Sequence, residues 1–185
     1  MFDAVLSLLI LTSVLATSIL SGIFGMAGGF VLMGVFGVLL SVEVAMVMHG
    51  TSQLAANGTR FITLFKNVQW KPCFYYMLGA IVAALILWSV RYIPSKPVMF
   101  LFLGLMPFVT LVPKVPALRF EVPSHSLFCG FAVTAAHLTA GVSGPLLDLF
   151  FINTRKNRFE IIATKAFTQS SGHLLKLFYF WAAVP

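Results

Sequence analysis

The sequence predicts an all-α protein: a polytopic transmembrane helix bundle with two internal repeats, each opening on an interrupted helix. Three observations carry this expectation. Of 185 residues, 59% are hydrophobic and only 9% charged, whereas a soluble domain carries about 25% charged residues. Apolar segments recur along the whole length rather than forming one anchor, and no strand-like alternation interrupts them. A gap-free shift of 116 residues lays glycines, glutamines and basic residues of the first half over those of the second.

A hydrocarbon core about 30 Å thick takes about 20 helical residues. Residues 4–40 are therefore too long for one span, and the glycines of "GIFGMAGGF" (22–30) interrupt them. The stretch from 4 to 23 has Asp3 and no basic residue before it and no A-x-A after it, so a retained helix is expected rather than a cleaved signal. "SVEV" (41–44) is a short polar break before a helix over 45–65, and "KNVQWK" forms a loop. Spans follow at 72–90, closed by Arg91 and "IPSKP", and at 97–113, closed by the proline-rich and charged "PKVPALRFEVP". Residues 124–152 repeat the long interrupted form, with the break at "AGVSGP". Pro145 suits the first turn of a half-helix over 145–152. "NTRKNR" (153–158) belongs in water, and 159–182 form the last helix. The first repeat thus takes 1–120 and the second, incomplete, 121–185.

The 116-residue shift places Gly25 on Gly141, Gly28 on Gly144, Ser52 on Thr168, Gln53 on Gln169 and Arg60 on Lys176. Matching interrupted helices in two halves point to a secondary-transporter site between the halves. A helix broken at depth exposes the N–H groups that begin its second part, which favours an anion. Glycine lets the backbone turn there and lets a ligand approach closely. The competing reading is close helix packing through the GxxxG of Gly25 and Gly29, and the duplication favours the ligand reading. Gln53 and Gln169, uncharged, mid-helix and repeated, read as ligand contacts over interhelical hydrogen bonds.

Lys165, Gln169 and Lys176 share one stripe of the last helix with His173 alongside, and His49, Gln53 and Arg60 do the same on the matching helix. Ionisable groups within spans usually face the protein interior or water. Lys165 either supplies countercharge or snorkels to the headgroups, and for Arg60 and Lys176, near the far ends of their helices, snorkelling is expected. Asp148 needs a partner; Lys165 is the nearest, and a structural ion pair is favoured over proton coupling. His49, His137 and His173 lack metal-ligand spacing and read as helix-packing residues.

The net charge of +7 comes from basic residues flanking apolar segments, so it sets topology and does not signal nucleic acid. Cys73 and Cys129 lie far apart in apolar surroundings and read as packing residues. Asn57-Gly58-Thr59 matches a glycosylation sequon but falls inside a helix. No nucleotide motif, nucleophile elbow or Cys/His cluster occurs, so no catalytic residue, cofactor or metal is assigned and an enzyme is not expected. Two topologies remain open. With six spans and parallel halves, Arg91, Lys96, Arg155, Lys156 and Arg158 oppose Lys66, Lys71, Lys114 and Arg119. If each interrupted stretch goes out and back, the halves are inverted, and only Arg91 and Lys96 stand against the other seven. The second has the bias of cytoplasmic loops toward Lys and Arg and is preferred.

"GIFGMAGGFVLMGVF" followed by "HGTSQLAANGTRF" resembles the TauE/SafE sulfite-exporter family of membrane transporters. "GVSGPLLDLFFINTRKNRFEIIATKAFTQSSGH" is similar to that family's repeat, with its "ATKA…Q" element after a basic loop. The resemblance implies a multi-pass protein of the bacterial inner membrane that moves a small anion: a sulfite, a sulfonate or another organic or sulfur oxyanion. The implied substrate site joins Gly25, Gly28, Gly29, Thr51, Ser52 and Gln53 to Gly141, Gly144, Lys165, Thr168 and Gln169. Ser143 and Pro145 stand where the family commonly has glycine. The equivalents of spans 72–90 and 97–113 would fall at about 188–229, after Pro185. The expectation is either a fragment or a C-terminally truncated member. Its alternatives are a non-transporting accessory subunit, or a homo-oligomer in which a second subunit covers the incomplete half.

Overall fold

The computed structural model describes residues 4–24, 27–109, 111 and 118–182. Their order is α1 (Ala4–Phe24), α2 (Ala27–Leu39), α3 (Val42–Thr63), a 3-10 turn (Phe65–Asn67), α4 (Trp70–Ser89), α5 (Lys96–Val109), α6 (Pro123–Ala140), α7 (Gly144–Leu149) and α8 (Arg158–Trp181). No strand occurs among the described residues, so the all-α class holds. Gly25, and most of the expected end of the 97–113 helix, lie outside them.

From α3 on, helix starts fall one to three residues earlier than expected, and two of them are set by side-chain caps. The break at "SVEV" is shorter than expected: Ser41 is extended and its hydroxyl accepts from Val44 N–H at 3.5 Å, so α3 already begins at Val42. Asn157 accepts from Glu160 N–H at 2.9 Å while the Glu160 carboxylate accepts from Asn157 N–H at 3.2 Å. This capping box starts α8 at Arg158. The two caps are 116 residues apart, so the repeat seen in residue identity is also a repeat of structure.

Each interrupted stretch goes out and back. A Cβ on Gly28 would meet the Thr17 carbonyl and the Ser21 hydroxyl, so α2 folds against the end of α1 as a hairpin. In the second half α6 ends at Gly141, which is left-handed at φ 79°; that conformation costs glycine nothing. The chain then runs back far enough for the Phe150 carbonyl to accept from Phe120 N–H at 3.0 Å. Phe120 stacks on Phe151 at 4.6 Å, and Thr154 donates to Glu121. The helix of this return is α7 alone, shorter than the 145–152 expected.

α3 and α8 lie antiparallel. Gly50 faces Lys176 and Leu177, Phe61 meets Phe167 at 5.4 Å, and Gln69 N–H donates to the Thr164 hydroxyl at 3.1 Å. With hairpins opening at opposite ends and the two polar helices running oppositely, the halves are inverted, not parallel. Lys66, Lys71, Arg119, Arg155, Lys156 and Arg158 then gather at one end of the bundle, and Arg91 and Lys96 at the other. Lys114 lies outside the described residues.

α4 and α6 cross at glycine. A Cβ on Gly79 would strike the Leu127 carbonyl, and one on Gly130 the Tyr76 carbonyl, so each backbone sits directly against the other. Cys73 and Cys129 are buried and free beside this crossing. The outer surface is apolar. α1 exposes Val5, Leu8, Leu11, Leu15 and Ile19, and α4 exposes Phe74, Leu78, Leu85 and Ile86. Ala4–Gly22 and Trp70–Ser89 are long and apolar enough to cross a membrane.

Gly79→Val and Gly130→Val should each destabilise the protein by about 1–3 kcal/mol or more through overpacking. Gly58→Ala, with nothing within 4 Å of its Cβ position, should gain up to ~1 kcal/mol of helix propensity. Thermal unfolding in detergent checks both, as a lowered and a raised midpoint.

Candidate functional site

The first turn of α2 and the segment between α6 and α7 meet. Between them lies a cavity of about 30 Å³, room for about two water molecules. Gly29 and Phe30 from the first turn of α2 line one side, Gln53, Asn57 and Arg60 from α3 a second, and Val142 to Pro145 a third. His49 and Ala56 of α3, Gln169 and His173 from α8, His137 from α6 and Ser21 from α1 complete the wall. The N–H groups of a first helical turn have no partner within their helix, and α2 presents its first turn here.

Helical spacing explains the wall. Gln53, Asn57 and Arg60 sit four and three residues apart and so fall on one face of α3. Asn57, the would-be sequon, is buried and donates to the Gln53 carbonyl at 3.1 Å. Arg60 turns inward, its Nη2 donating to the Ser21 carbonyl at 3.5 Å. It lines the cavity and does not snorkel, contrary to expectation. Gly29 is required small: its Cβ would stand 2.8 Å from Gln53 Oε1.

Of the expected site residues, Gly29, Gln53, Gly144 and Gln169 line this cavity. The others do different work. Gly28 packs against α1. Gly141 caps α6 and faces the Met33 side chain. Thr51, exposed, and Ser52 turn their hydroxyls back onto the carbonyls of Val47 and Met48, both at 3.0 Å. Thr168 bonds the Lys165 carbonyl at 3.0 Å. Serine and threonine satisfy themselves this way inside helices, which takes all three out of the wall. Lys165 forms an ion pair with Asp148; its charge is already met, so it does not serve as the cavity's countercharge. Gly25 lies outside the described residues.

A set of buried polar contacts, with Lys176 behind the wall and three histidines in it, was not foreseen. Lys176 is 0% exposed, which rules out snorkelling. Its Nζ donates to the Gly141 carbonyl at 3.0 Å and lies 2.8 Å from His49 Nδ1. His49 Nε2 lies 2.8 Å from the Gly29 carbonyl. A carbonyl only accepts, so Nε2 carries the hydrogen. His137 Nδ1 lies 2.9 Å from the Ser143 hydroxyl, and its Nε2 lies 3.1 Å from His173 Nδ1. The His49 and His173 rings are 5.5 Å apart. The three histidines are therefore not merely packing residues: His49 is bonded to Lys176, His137 and His173 are bonded to each other, and the two groups touch through the His49 and His173 rings. The available signal was their number: three histidines and a lysine on predicted spans, where such residues are rare.

Among the described residues the ion pairs are Arg119–Glu121, Lys156–Glu160 and Lys165–Asp148. None includes Arg60 or Lys176, and no carboxylate lines the cavity. The wall is rich in donors and positive in charge.

Lys176→Met removes the donor that ties Gly141 to His49 and leaves both acceptors buried without it. The expected loss is about 2–6 kcal/mol, at about 1–3 kcal/mol for each unsatisfied group. Lys176→Gln, which keeps an N–H₂ donor, should lose less; thermal unfolding of the two variants side by side measures the difference. Comparison of the chain with protein-family models, with curated proteins and with solved structures finds no match.

Proposed function

We propose that this chain is a secondary transporter of a small anion, in the class of sulfite, sulfonate or another small sulfur or organic oxyanion. It would work as a multi-pass protein of a bacterial inner membrane. One observation carries the reading: a cavity at the meeting point of two inverted hairpins, lined by the duplicated glutamines and Arg60, with no carboxylate in its wall. Amide donors, a first helical turn and a guanidinium are complementary to an oxyanion and to little else.

The apolar exterior supports the membrane setting. Large hydrophobic side chains exposed along α1, α4, α5 and α8 suit a lipid surround, since contiguous apolar patches of this kind are rare on soluble monomers. In that setting the basic end of the bundle faces the cytoplasm. Interrupted helices are then tolerable because the start of α2 and the segment between α6 and α7 line a cavity inside the protein. The resemblance to TauE/SafE exporters points to the same substrate class.

Binding draws on the two halves in a defined way. Gln53 and Arg60 come from α3, Gln169 from α8, Gly29 from the start of α2 and Gly144 from the start of α7. An anion held there touches both halves at once, so rocking one half against the other would open the site to one side and then the other. The cavity as it stands fits a small ion, and a larger sulfonate needs the halves to separate slightly.

Gln53→Ala, Gln169→Ala and Arg60→Gln should each lower anion uptake at least tenfold, the effect of losing about 1.4 kcal/mol of binding, without lowering membrane abundance. Uptake of labelled sulfite or methanesulfonate by expressing cells measures this, and normal transport by all three variants would remove the assignment. Reporter fusions at residues 43 and 156 should report opposite sides, with 156 cytoplasmic.

A further inference from the structure

We propose that Lys176, His49, His173 and His137 form a proton-carrying cluster, and that the anion in the adjacent cavity is the counter-ion of that proton, so that anion and proton bind together. This deepens the transport reading and rests on it, by naming the coupling ion.

The geometry carries the inference. Lys176 is wholly buried, and its polar partners are the Gly141 carbonyl and His49 Nδ1. Two acceptors are satisfied by the two hydrogens of a neutral amine; an ammonium has a third. His49 Nε2–H faces the Gly29 carbonyl, so Nδ1 is free to accept from Lys176. A proton on this pair can therefore sit on Nζ, with His49 neutral, or on Nδ1, with the amine neutral, and no heavy atom need move. From His49 the His173 ring lies at 5.5 Å, and His173 Nδ1 is bonded to His137 Nε2 at 3.1 Å. His137 reaches Ser143, which lines the cavity.

The cluster has no carboxylate. Facing Lys176 are His49 from α3 and His173 and His137 from α8 and α6. Arg60 lines the same cavity and carries a fixed positive charge. Asp148 on α7 is taken by Lys165. Lys96 on α5 donates to the Val38 carbonyl at 3.3 Å, and Tyr179 donates to the carbonyls of Leu87 and Tyr92. α1 and α2 contribute no titratable group over Ala4–Phe24 and Ala27–Leu39. Glu43, at the start of α3, forms no ion pair with Lys176. A buried charge without a partner is unstable. The cluster is relieved in two ways only: it loses its proton, or an anion arrives beside it. Three cluster histidines line the cavity where that anion would sit. The two binding events then favour one another, and equally in both directions.

The test uses purified wild-type protein in weakly buffered detergent, with methanesulfonate and sulfate as probes because both stay fully ionised over the working range. Binding is read by thermal stabilisation, and proton uptake by a pH indicator. The expected result is uptake of about one proton per anion bound, with affinity falling about tenfold per pH unit above the range in which the cluster holds its proton. Lys176→Gln, which keeps donors toward His49 and Gly141, should bind without proton uptake and with a flat pH profile. Wild-type binding with no proton uptake and a flat profile overturns the inference and leaves anion transport standing. Failure of both probes to bind at any pH overturns the transport reading and the inference with it. The wild-type measurement decides the matter even if the variant does not fold.

Discussion

The structure depends on one hydrogen-bond chain, in which Lys176 ties the Gly141 carbonyl to His49, and His49 reaches the Gly29 carbonyl. Each turn interrupts a helix in the interior, and an interior turn leaves backbone groups that no helix bond satisfies. Here the Gly141 carbonyl that ends α6 and the Gly29 carbonyl in the first turn of α2 are tied together by the same two side chains, one on α3 and one on α8. The turns are thereby held at a fixed separation, and the space between them becomes a cavity instead of a packed core. Buried polar networks are stabilising only when every member has a partner, and this one reaches both halves of the molecule.

Inversion follows from how that chain is supplied. α3 and α8 start from caps 116 residues apart in sequence yet run in opposite directions, which brings His49 of one beside Lys176 of the other. Had the halves been parallel, equivalent residues would face equivalent residues. Instead His49 meets Lys176, whose own counterpart under the repeat is Arg60. The two cations divide the labour: Arg60 stands in the cavity wall, Lys176 behind it. The glycine crossing of α4 and α6 lies apart from this cavity and brings the first half's later helices against the second half.

How much could be read from the residues differs by type. The glutamines were legible because a polar amide placed mid-helix in an apolar chain, and placed there twice, seeks a polar surface inside the protein. The hydroxyl residues beside them were not. Thr51, Ser52 and Thr168 lie close in sequence to Gln53 and Gln169, but a helix turns about 100° per residue, and a neighbour in sequence faces elsewhere. Lys165 and Asp148 paired as expected, because the short stretch between their elements leaves few other choices. Lys176 defied the reading for a reason of depth. Nearness to the end of a helix suggests an exposed head group, but α8 is covered at that level by the turn at Gly141 and by α3.

Composition and the 116-residue repeat by themselves determined the helical class, the order of the elements, the two interruptions and the pair of glutamines. All of these are set by local hydrophobicity, glycine content and spacing along one chain. The tertiary structure alone decided that the interruptions fold back, that the halves are inverted, and that three histidines and a lysine join in one cluster. Those facts rest on contacts between residues as far as 127 positions apart, and no local periodicity encodes which partner a buried nitrogen will find.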